Sequence, residues 1–305
     1  MDYAIRTEGL TKTYGARPAV KNLRLDVPVG SVFGFLGPNG AGKTTTIRML
    51  LGLIRPTSGS ATVMGVDVVR QRPKLSSLVG AIVEVPAFYT HLSGAENLRA
   101  MALSSGHALS RAESDRLLEH VGLSGEGQHP VKKYSLGMKQ RLGLAAALMG
   151  DPPVLFLDEP TNGLDPDGAR EIRELIGSLR QSGRTLFVSS HLLQEVERFC
   201  TDVAIVQNGE LRVQGRVATL LASRGFELRV SSVDRALALL NLPAAGPPDS
   251  GPGWVLAEVS DSAVPDTLRK LLQADVDVFE VRPKRSSLEE LFFETTTSAQ
   301  ARRTP

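Results

Sequence analysis

Short apolar runs alternate with helical patterns through about residue 215 of the chain. The runs SVFGFLG at 31–37, PVLFLDEP at 153–160 and TLFVSS at 185–190 each read as a strand, and TTTIRMLLGL reads as a helix. Near-continuous apolar strands separated by helices are typical of a parallel sheet covered on both faces. The pattern therefore predicts an α/β fold, and such sheets bind ligands at the carboxyl ends of their strands.

Polar residues mark where several of the predicted helices begin. SGAE at 93–96 and SRAE at 110–113 have the spacing of a capping box, in which a serine and a glutamate side chain each bind a backbone N–H of the first turn. Asp165 precedes a proline, which suits the first helical position. That helix is predicted to run to about Gln181 and to stop near Gly183.

The character of the sequence changes beyond residue 216. FELRVSS, WVLAEVS and VDVFEVRP read as three strands, separated by the helix-like VDRALALLNL and VPDTLRKLLQ, with a loop over 244–253 and a capped helix in SSLEELFFE. We therefore predict a first domain over 1–216, a small α/β accessory domain over 217–295 and a flexible tail over 296–305. The accessory domain carries no catalytic motif.

Composition excludes several classes of protein. The net charge of +2 and the lack of a basic run with interleaved aromatics argue against a nucleic-acid partner. The single cysteine, Cys200, excludes an internal disulfide and is predicted to serve packing. No apolar run approaches the ~20 residues that span a bilayer, and MDYAIRTEGL does not resemble a signal peptide. A role at a membrane would need another chain to span it.

GPNGAGKTT at 37–45 matches the phosphate-binding pattern G-x-x-x-x-G-K-[ST] and lies between a predicted strand and a predicted helix. The glycines let successive N–H groups face phosphate oxygens, and the helix N-terminus adds positive potential. Lys43 is expected to bind the β- and γ-phosphates, and the Thr44 hydroxyl to bind Mg²⁺. The alternative is a glycine-rich turn without a ligand. The predicted phosphate-binding residues are Gly37, Pro38, Asn39, Gly40, Ala41, Gly42, Lys43, Thr44 and Thr45.

Three further polar residues follow predicted strands and are expected at the same edge of the sheet. Asp158 could hold Mg²⁺ through water, and Glu159 could accept a proton from an attacking water. His191 follows TLFVSS and could donate a hydrogen bond to the γ-phosphate. Taken singly, the two acids could be solvated residues at a strand end, and the histidine could be structural.

YSLGMKQR at 134–141, ahead of VLFLDEP, makes residues 1 to about 215 resemble the ATP-binding cassette (ABC) ATPases. The resemblance implies a P-loop cassette with a mostly parallel core sheet, antiparallel N-terminal strands and a helical signature subdomain. It also implies that Ser135 and Gly137 bind the γ-phosphate of the nucleotide held by the opposite subunit; an ordinary helix start is the alternative. Leu136 and Met138 replace the family's usual glycine and glutamine, and this form is similar to the antibiotic and peptide exporters.

Other positions acquire roles from the same resemblance. Tyr14 in KTYG resembles the aromatic residue that stacks on adenine, although it could simply pack. NGLD at 162–165 resembles the loop that contacts the partner subunit, and Asp165 could cap its helix as well. Ala81–Val83 reads as a buried strand, after which the family usually carries a glutamine that touches Mg²⁺ or the attacking water. Here that residue is Glu84, a candidate metal ligand or else a solvated loop acid.

Together these features predict the ATPase subunit of an exporter that uses ATP and Mg²⁺. The resemblance implies a homodimer of ATP-binding subunits and a separate transmembrane permease, which would place the protein in the cytoplasm at the inner face of the membrane. The residues after Glu84, including Phe88, Tyr89 and the helix after Ser93, are candidates for contacting the permease, although both aromatics could lie in the core. The alternatives are a soluble ABC ATPase that acts on ribosomes or nucleic acid, and an importer ATPase with a regulatory domain.

Overall fold

The structure is a computed structural model that describes residues 2–84, 86–106, 108–242, 252–285 and 287–292. The chain divides into two compact units, the first running to Val217 and the second spanning Ala218–Glu294. The predicted tail over 296–305, Val85 and most of the predicted loop over 244–253 lie outside the described residues.

Ten strands, eight α-helices and one short 3-10 helix, Val131–Lys133, cover the described part of the chain up to residue 220. The strands are β1 Tyr3–Tyr14, β2 Arg17–Pro28, β3 Val32–Leu36, β4 Ser58–Val63, β5 Val66–Asp67, β6 Val79–Ile82, β7 Val154–Asp158, β8 Thr185–Ser190, β9 Asp202–Gln207 and β10 Glu210–Arg216. The helices are α1 Lys43–Leu50, α2 Arg72–Leu75, α3 Gly94–Ser104, α4 Arg111–His120, α5 Leu136–Ala147, α6 Pro166–Gln181, α7 Leu193–Phe199 and α8 Val217–Leu220.

A six-stranded sheet in the order β10-β9-β3-β8-β7-β6 forms the centre of this unit. Its strands from β9 to β6 run parallel, and only β10 is antiparallel to its neighbour. All residues of β3, β7 and β8 are buried, as the continuous apolar runs predicted. The mostly parallel sheet expected from the sequence is therefore confirmed.

Four aromatic rings fill the space between the central strands. Phe187 on β8 contacts Phe33 and Phe35 on β3 and Phe156 on β7, with ring centroids 5.6, 5.2 and 5.5 Å apart. Offset and tilted ring pairs at these separations add to the free energy gained by burying the rings. This packing fixes the strands whose carboxyl ends carry the candidate site.

The interpretation of 81–83 as a buried strand is wrong in part. The strand β6 ends at Ile82, and Ala81 is exposed because β6 is the edge strand of the sheet. The helix α5 packs on the face that carries Gly80 and Ile82. That face is packed tightly: a Cβ at Gly80 would lie 1.8 Å from the carbonyl oxygen of Ala147. Glu84 therefore follows an edge strand that is buried at Gly80 and Ile82 but exposed at Ala81.

A second sheet, in the order β2-β1-β4-β5, is antiparallel throughout, as expected for the N-terminal strands. The helical part between β6 and β7 contains α3, α4 and α5, and both predicted capping boxes are present at Ser93 and Ser110. Asp165 caps α6, whose end at Gln181 matches the prediction. The prediction that Cys200 serves packing is confirmed, because it is buried, and burial together with the nearby Asp202 carboxylate raises the pKa of its thiol.

The second unit is a small α/β domain. It contains β11 Ser223–Val230, α9 Val233–Leu239, β12 Trp254–Ala257, α10 Val264–Gln273 and β13 Val278–Arg285. The strands form an antiparallel sheet in the order β12-β11-β13, so the three predicted strands and two predicted helices are confirmed. Leu228, Ala236, Val255 and Leu271 are central in its core. In the described residues of both units, no helix is long and apolar enough to span a bilayer.

Candidate functional site

The predicted phosphate-binding loop connects β3 to α1, as the sequence pattern requires. Gly40 and Gly42 adopt left-handed backbone angles, with φ of 81° and 100°, which glycine tolerates best. A Cβ at Gly37 would lie 2.3 Å from the Val206 carbonyl oxygen, and one at Gly42 would lie 2.5 Å from that of Ala19. The fold therefore needs glycine at both positions, and this brings the loop backbone and the N-terminus of α1 to one edge of the sheet.

Lys43 lies across this loop and is 7% exposed. Its ammonium donates to the Gly37 carbonyl oxygen at 2.7 Å and lies within 3.4 Å of that of Pro38. It also lies 3.1 Å from the Glu159 carboxylate. The loop carbonyls and the carboxylate thus hold the positive charge next to the backbone that is expected to bind phosphate.

Thr44 and Asp158 meet at the edge of the sheet. The Thr44 hydroxyl donates to Asp158 Oδ2 at 2.8 Å, and Asp158 is 4% exposed. The other carboxylate oxygen accepts a hydrogen bond from the buried hydroxyl of Ser189. The parallel register of β7 and β8 places Asp158 beside Ser189. Sequence reasoning missed Ser189; the signal available was its place at the end of TLFVSS, two residues before His191.

Glu159 lies between Lys43 and His191. Its Oε2 is 2.8 Å from His191 Nδ1, and its other oxygen faces Lys43. Its backbone has a left-handed φ of 50°, and its N–H donates to the Ser189 hydroxyl at 3.0 Å. A non-glycine residue in this conformation carries strain that persists only where its surroundings hold it. The structure therefore brings the three predicted catalytic residues into one contact chain.

The donor set at this edge fits Mg²⁺. A threonine hydroxyl and a carboxylate are hard oxygen ligands, and Mg²⁺ is usually held by one or two carboxylates together with phosphate oxygens and waters. Among the described residues, no group of three or more His, Cys, Asp or Glu side chains forms a closed metal site. An ion bound by Thr44 and Asp158 would thus need further ligands from phosphate and water, as a nucleotide site provides.

A cleft of about 680 Å³ opens beside these residues. Asn39, Thr45 and Glu159 line it beside the phosphate-binding loop, and Tyr14 lines it as well. Tyr14 is 51% exposed, and the Lys12 ammonium lies 5.1 Å from its ring centroid. The aromatic residue expected to stack on adenine therefore shares one cleft with the phosphate-binding loop.

The signature residues lie elsewhere on the first unit. Ser135 caps α5 by accepting a hydrogen bond from the Met138 N–H at 3.2 Å, and a Cβ at Gly137 would meet only ordinary contacts with Ser135 and Leu164. Among the described residues, those that line the cleft include neither Ser135 nor Gly137. Leu136 is 43% exposed and packs beside Gly163, so the signature segment adjoins the NGLD loop.

Glu84 is placed differently from the other predicted metal ligands. In the described part of the chain its carboxylate hydrogen-bonds to Arg48 on α1, at 2.6 Å, and not to Thr44 or Asp158. The Glu84 side chain is 63% exposed, and its backbone φ is 62°. Arg48 was not singled out from the sequence, because nothing in the helical pattern indicates a partner 36 residues away.

A second groove, of about 580 Å³, lies between the sheet edge and the helices. Ala81 and Ile82 line it from β6, Met101 from α3 and Gly143 from α5, and Phe88 lines it from the segment after Glu84. Tyr89 next to Phe88 is 59% exposed, so it is not a core residue.

Comparisons with known proteins indicate one family. The ABC transporter family profile matches residues 20–162. YdbJ of Bacillus subtilis (strain 168), an uncharacterised ABC transporter ATP-binding protein, is 39% identical over 300 residues, which is 97% of this chain and 96% of YdbJ. The bacitracin transport ATP-binding protein BcrA of Bacillus licheniformis is 49% identical over 212 residues, 69% of each chain. The dimeric structure of MJ0796, a bacterial ABC transporter cassette, matches with a TM-score of 0.62 and 26% identity, over 70% of this chain and 98% of that one.

Proposed function

Since the chain belongs to the ABC transporter family of ATP-hydrolysing subunits, we propose that it drives the export of an antibiotic or peptide through a separate membrane permease. Members of this family bind ATP, generally with Mg²⁺, and work with a permease. The observation that carries the proposal is the contact chain from Lys43 through Glu159 to His191, next to the Thr44–Asp158 pair.

The chemistry assigned to this site is in-line attack of water on the γ-phosphate of ATP. The water oxygen forms a bond to the γ-phosphorus, the bond from that phosphorus to the bridging oxygen breaks, and ADP leaves. Glu159 takes the proton of the attacking water. His191 Nδ1 lies 2.8 Å from the Glu159 carboxylate and holds that carboxylate in place, and the other ring nitrogen of His191 donates to the γ-phosphate. Lys43 stabilises negative charge on the phosphates. Mg²⁺ held by Thr44 and Asp158 would neutralise further charge on the phosphate oxygens.

The arrangement of the signature residues supports a dimer of this chain. Ser135 and Gly137 begin α5 but do not belong to the described lining of the chain's own cleft. A second copy that presents its helix N-terminus would add N–H donors and a hydroxyl to the γ-phosphate. We propose that two copies enclose two ATP molecules and that each site uses the phosphate-binding loop of one copy and the signature segment of the other.

The groove lined by Ala81, Phe88 and Met101 is the proposed contact with the permease. The segment that follows Glu84 lines part of this groove, so a movement of the bound permease would act close to the nucleotide. This contact would hold the protein at the inner face of the membrane. The substrate class rests on the similarity to BcrA, named for bacitracin transport, and on the SLGMKQR form of the signature. We propose no nucleic-acid partner, since the net charge is only +2.

Co-expression with the permease of the same gene cluster tests this function. The wild-type pair should co-purify from detergent, and cells that carry it should tolerate higher concentrations of at least one compound in a panel that includes bacitracin. Cells with the Glu159→Gln variant should lose that tolerance. The matched control is Glu174→Gln, the same chemical change at a side chain of α6 that is 70% exposed, which should keep it. Active ATP hydrolysis with unchanged tolerance and co-purifying ribosomes would refute the export function.

A further inference from the structure

Two segments that begin at the candidate site are joined by two links, and the second of these links is buried. The residues 159–165 follow β7, and the residues 191–195 follow β8. Glu159 and His191 connect these segments at the cleft. Beyond them, the Thr161 hydroxyl donates to Glu195 Oε2 at 2.7 Å, and Thr161 is 9% exposed. The other Glu195 oxygen accepts from Arg173 on α6 at 2.9 Å.

This second link is well suited to fix geometry. Glu195 is 19% exposed and Arg173 is 20% exposed, so both charges are largely removed from water and satisfied by each other and by Thr161. A charge-assisted hydrogen bond in such surroundings is short and directional. It ties α7, which follows His191, to the residue immediately before the NGLD loop. Neither Thr161 nor Glu195 lies in the described lining of the cleft.

We propose that Thr161 and Glu195 are positioning residues. They hold the side chains of His191 and Glu159 in contact, and they fix the position of the NGLD loop relative to the γ-phosphate site. The backbone of Glu159 has a strained φ of 50°, and the contacts around this residue must maintain that conformation. Asn162 begins the loop one residue after Thr161, and its N–H donates to the Glu159 carbonyl oxygen at 3.0 Å. Movement of α7 at Glu195 would therefore reach the catalytic carboxylate and the loop together.

The inference rests on the proposed ATP hydrolysis, and its test separates positioning from binding. Removing the hydroxyl leaves the phosphate-binding loop and Lys43 untouched, so substrate binding should persist. Misplacement of catalytic groups by about 1 Å costs roughly 100-fold in rate, so Thr161→Val should lower kcat by about 10- to 100-fold. KM for ATP should stay within about 2-fold, because an interaction that matters in the transition state alone changes kcat.

Thr161→Ser, which restores the hydroxyl, should restore kcat. The matched control is Thr7→Val, at a residue of the β1–β2 pair. Thr7 is also buried, and its hydroxyl donates to the Leu23 carbonyl oxygen at 2.9 Å. That variant should lower the melting temperature and keep kcat. Thr161→Ala removes the same hydroxyl without adding a methyl and serves the same test if the valine variant does not fold.

Three results would overturn the inference: kcat within 2-fold of wild type in Thr161→Val, equal loss of kcat in Thr161→Ser, or equal loss in Thr7→Val. A wild-type dimer without ATPase activity would refute the proposed function instead. Measurements of kcat and KM for all variants, with melting temperatures and nucleotide affinity in parallel, decide between these outcomes.

Discussion

Arg48 donates a hydrogen bond of 2.6 Å to Glu84 and so connects the helix of the phosphate-binding loop to a carboxylate two residues beyond the end of β6. Neither residue belongs to the described lining of the cleft or of the groove lined by Phe88. The arginine pairs with a carboxylate at the position where the family resemblance predicts a neutral amide. Because the Glu84 side chain is 63% exposed, the pair itself contributes only about 0–1 kcal/mol to stability.

Glu84→Gln and Arg48→Gln should leave ATP affinity nearly unchanged. If Glu84 reaches the metal during turnover, Glu84→Gln shifts the Mg²⁺ dependence of hydrolysis or the stimulation by the permease. Arg48→Gln frees the carboxylate and should shift the same dependence in the opposite direction. Magnesium titrations of ATPase activity with and without the permease measure both effects. Unchanged titrations in both variants would make Glu84 a loop acid only.

Glu159→Gln should abolish turnover and leave ATP binding intact. The amide keeps the size of the side chain but cannot take the proton of water, so an ATP-bound dimer should accumulate. Size-exclusion chromatography with ATP, followed by nucleotide analysis of the dimer fraction, measures this. The control is again Glu174→Gln on the exposed side of α6. Normal hydrolysis in Glu159→Gln would remove Glu159 from the role of base.

Tyr14→Ala should weaken ATP binding by roughly 1–3 kcal/mol, the usual cost of removing a stacked aromatic from a base. Tyr14→Phe keeps the ring and should bind ATP nearly as well as wild type. Tyr3→Ala is a matched control, because Tyr3 is 42% exposed and the Arg6 guanidinium lies 5.9 Å from its ring centroid. Calorimetric titration with ATP measures the affinities. Equal losses in the two alanine variants would mean that Tyr14 does not stack on adenine.

The capping box of α3 predicts a pH dependence. The backbone N–H and the side chain of Ser93 hydrogen-bond to Glu96 and lower the pKa of its carboxyl group. A lowered pKa means that the stabilisation is present above the ordinary pKa and is lost as pH falls through the lowered one. Glu96→Gln should therefore lower the melting temperature at neutral pH, and the difference from wild type should shrink in acid.

Melting curves of both proteins across pH 2 to 8 test this, at roughly one-unit steps. Ser104→Ala serves as the control, because the Ser104 hydroxyl donates to the Met101 carbonyl oxygen at the other end of α3, and the described residues show no ionisable partner for it. A difference from wild type that is independent of pH in Glu96→Gln would contradict the assignment.

Several features followed from the sequence because their causes are local. The phosphate-binding loop needs glycines within a few residues of one another, and the capping boxes at Ser93 and Ser110 need partners three positions away. The continuous apolar strands predicted a parallel sheet, whose strand ends bring Asp158, Glu159 and His191 to one edge. The edge strand β6 was misjudged at Ala81, since its exposure depends on what covers the sheet and not on its own sequence.

The sequence by itself determined the chemistry of the site, because hydroxyl, ammonium, carboxylate and imidazole groups occur at spacings that strand ends convert into proximity. Only the tertiary structure decided which of these groups contact each other. Arg48 and Glu84 are 36 positions apart, Ser189 and Asp158 are 31 apart, and Thr161 and Glu195 are 34 apart. Such pairs depend on strand register, helix placement and side-chain packing, which act over the whole fold and leave no periodic signal along the chain.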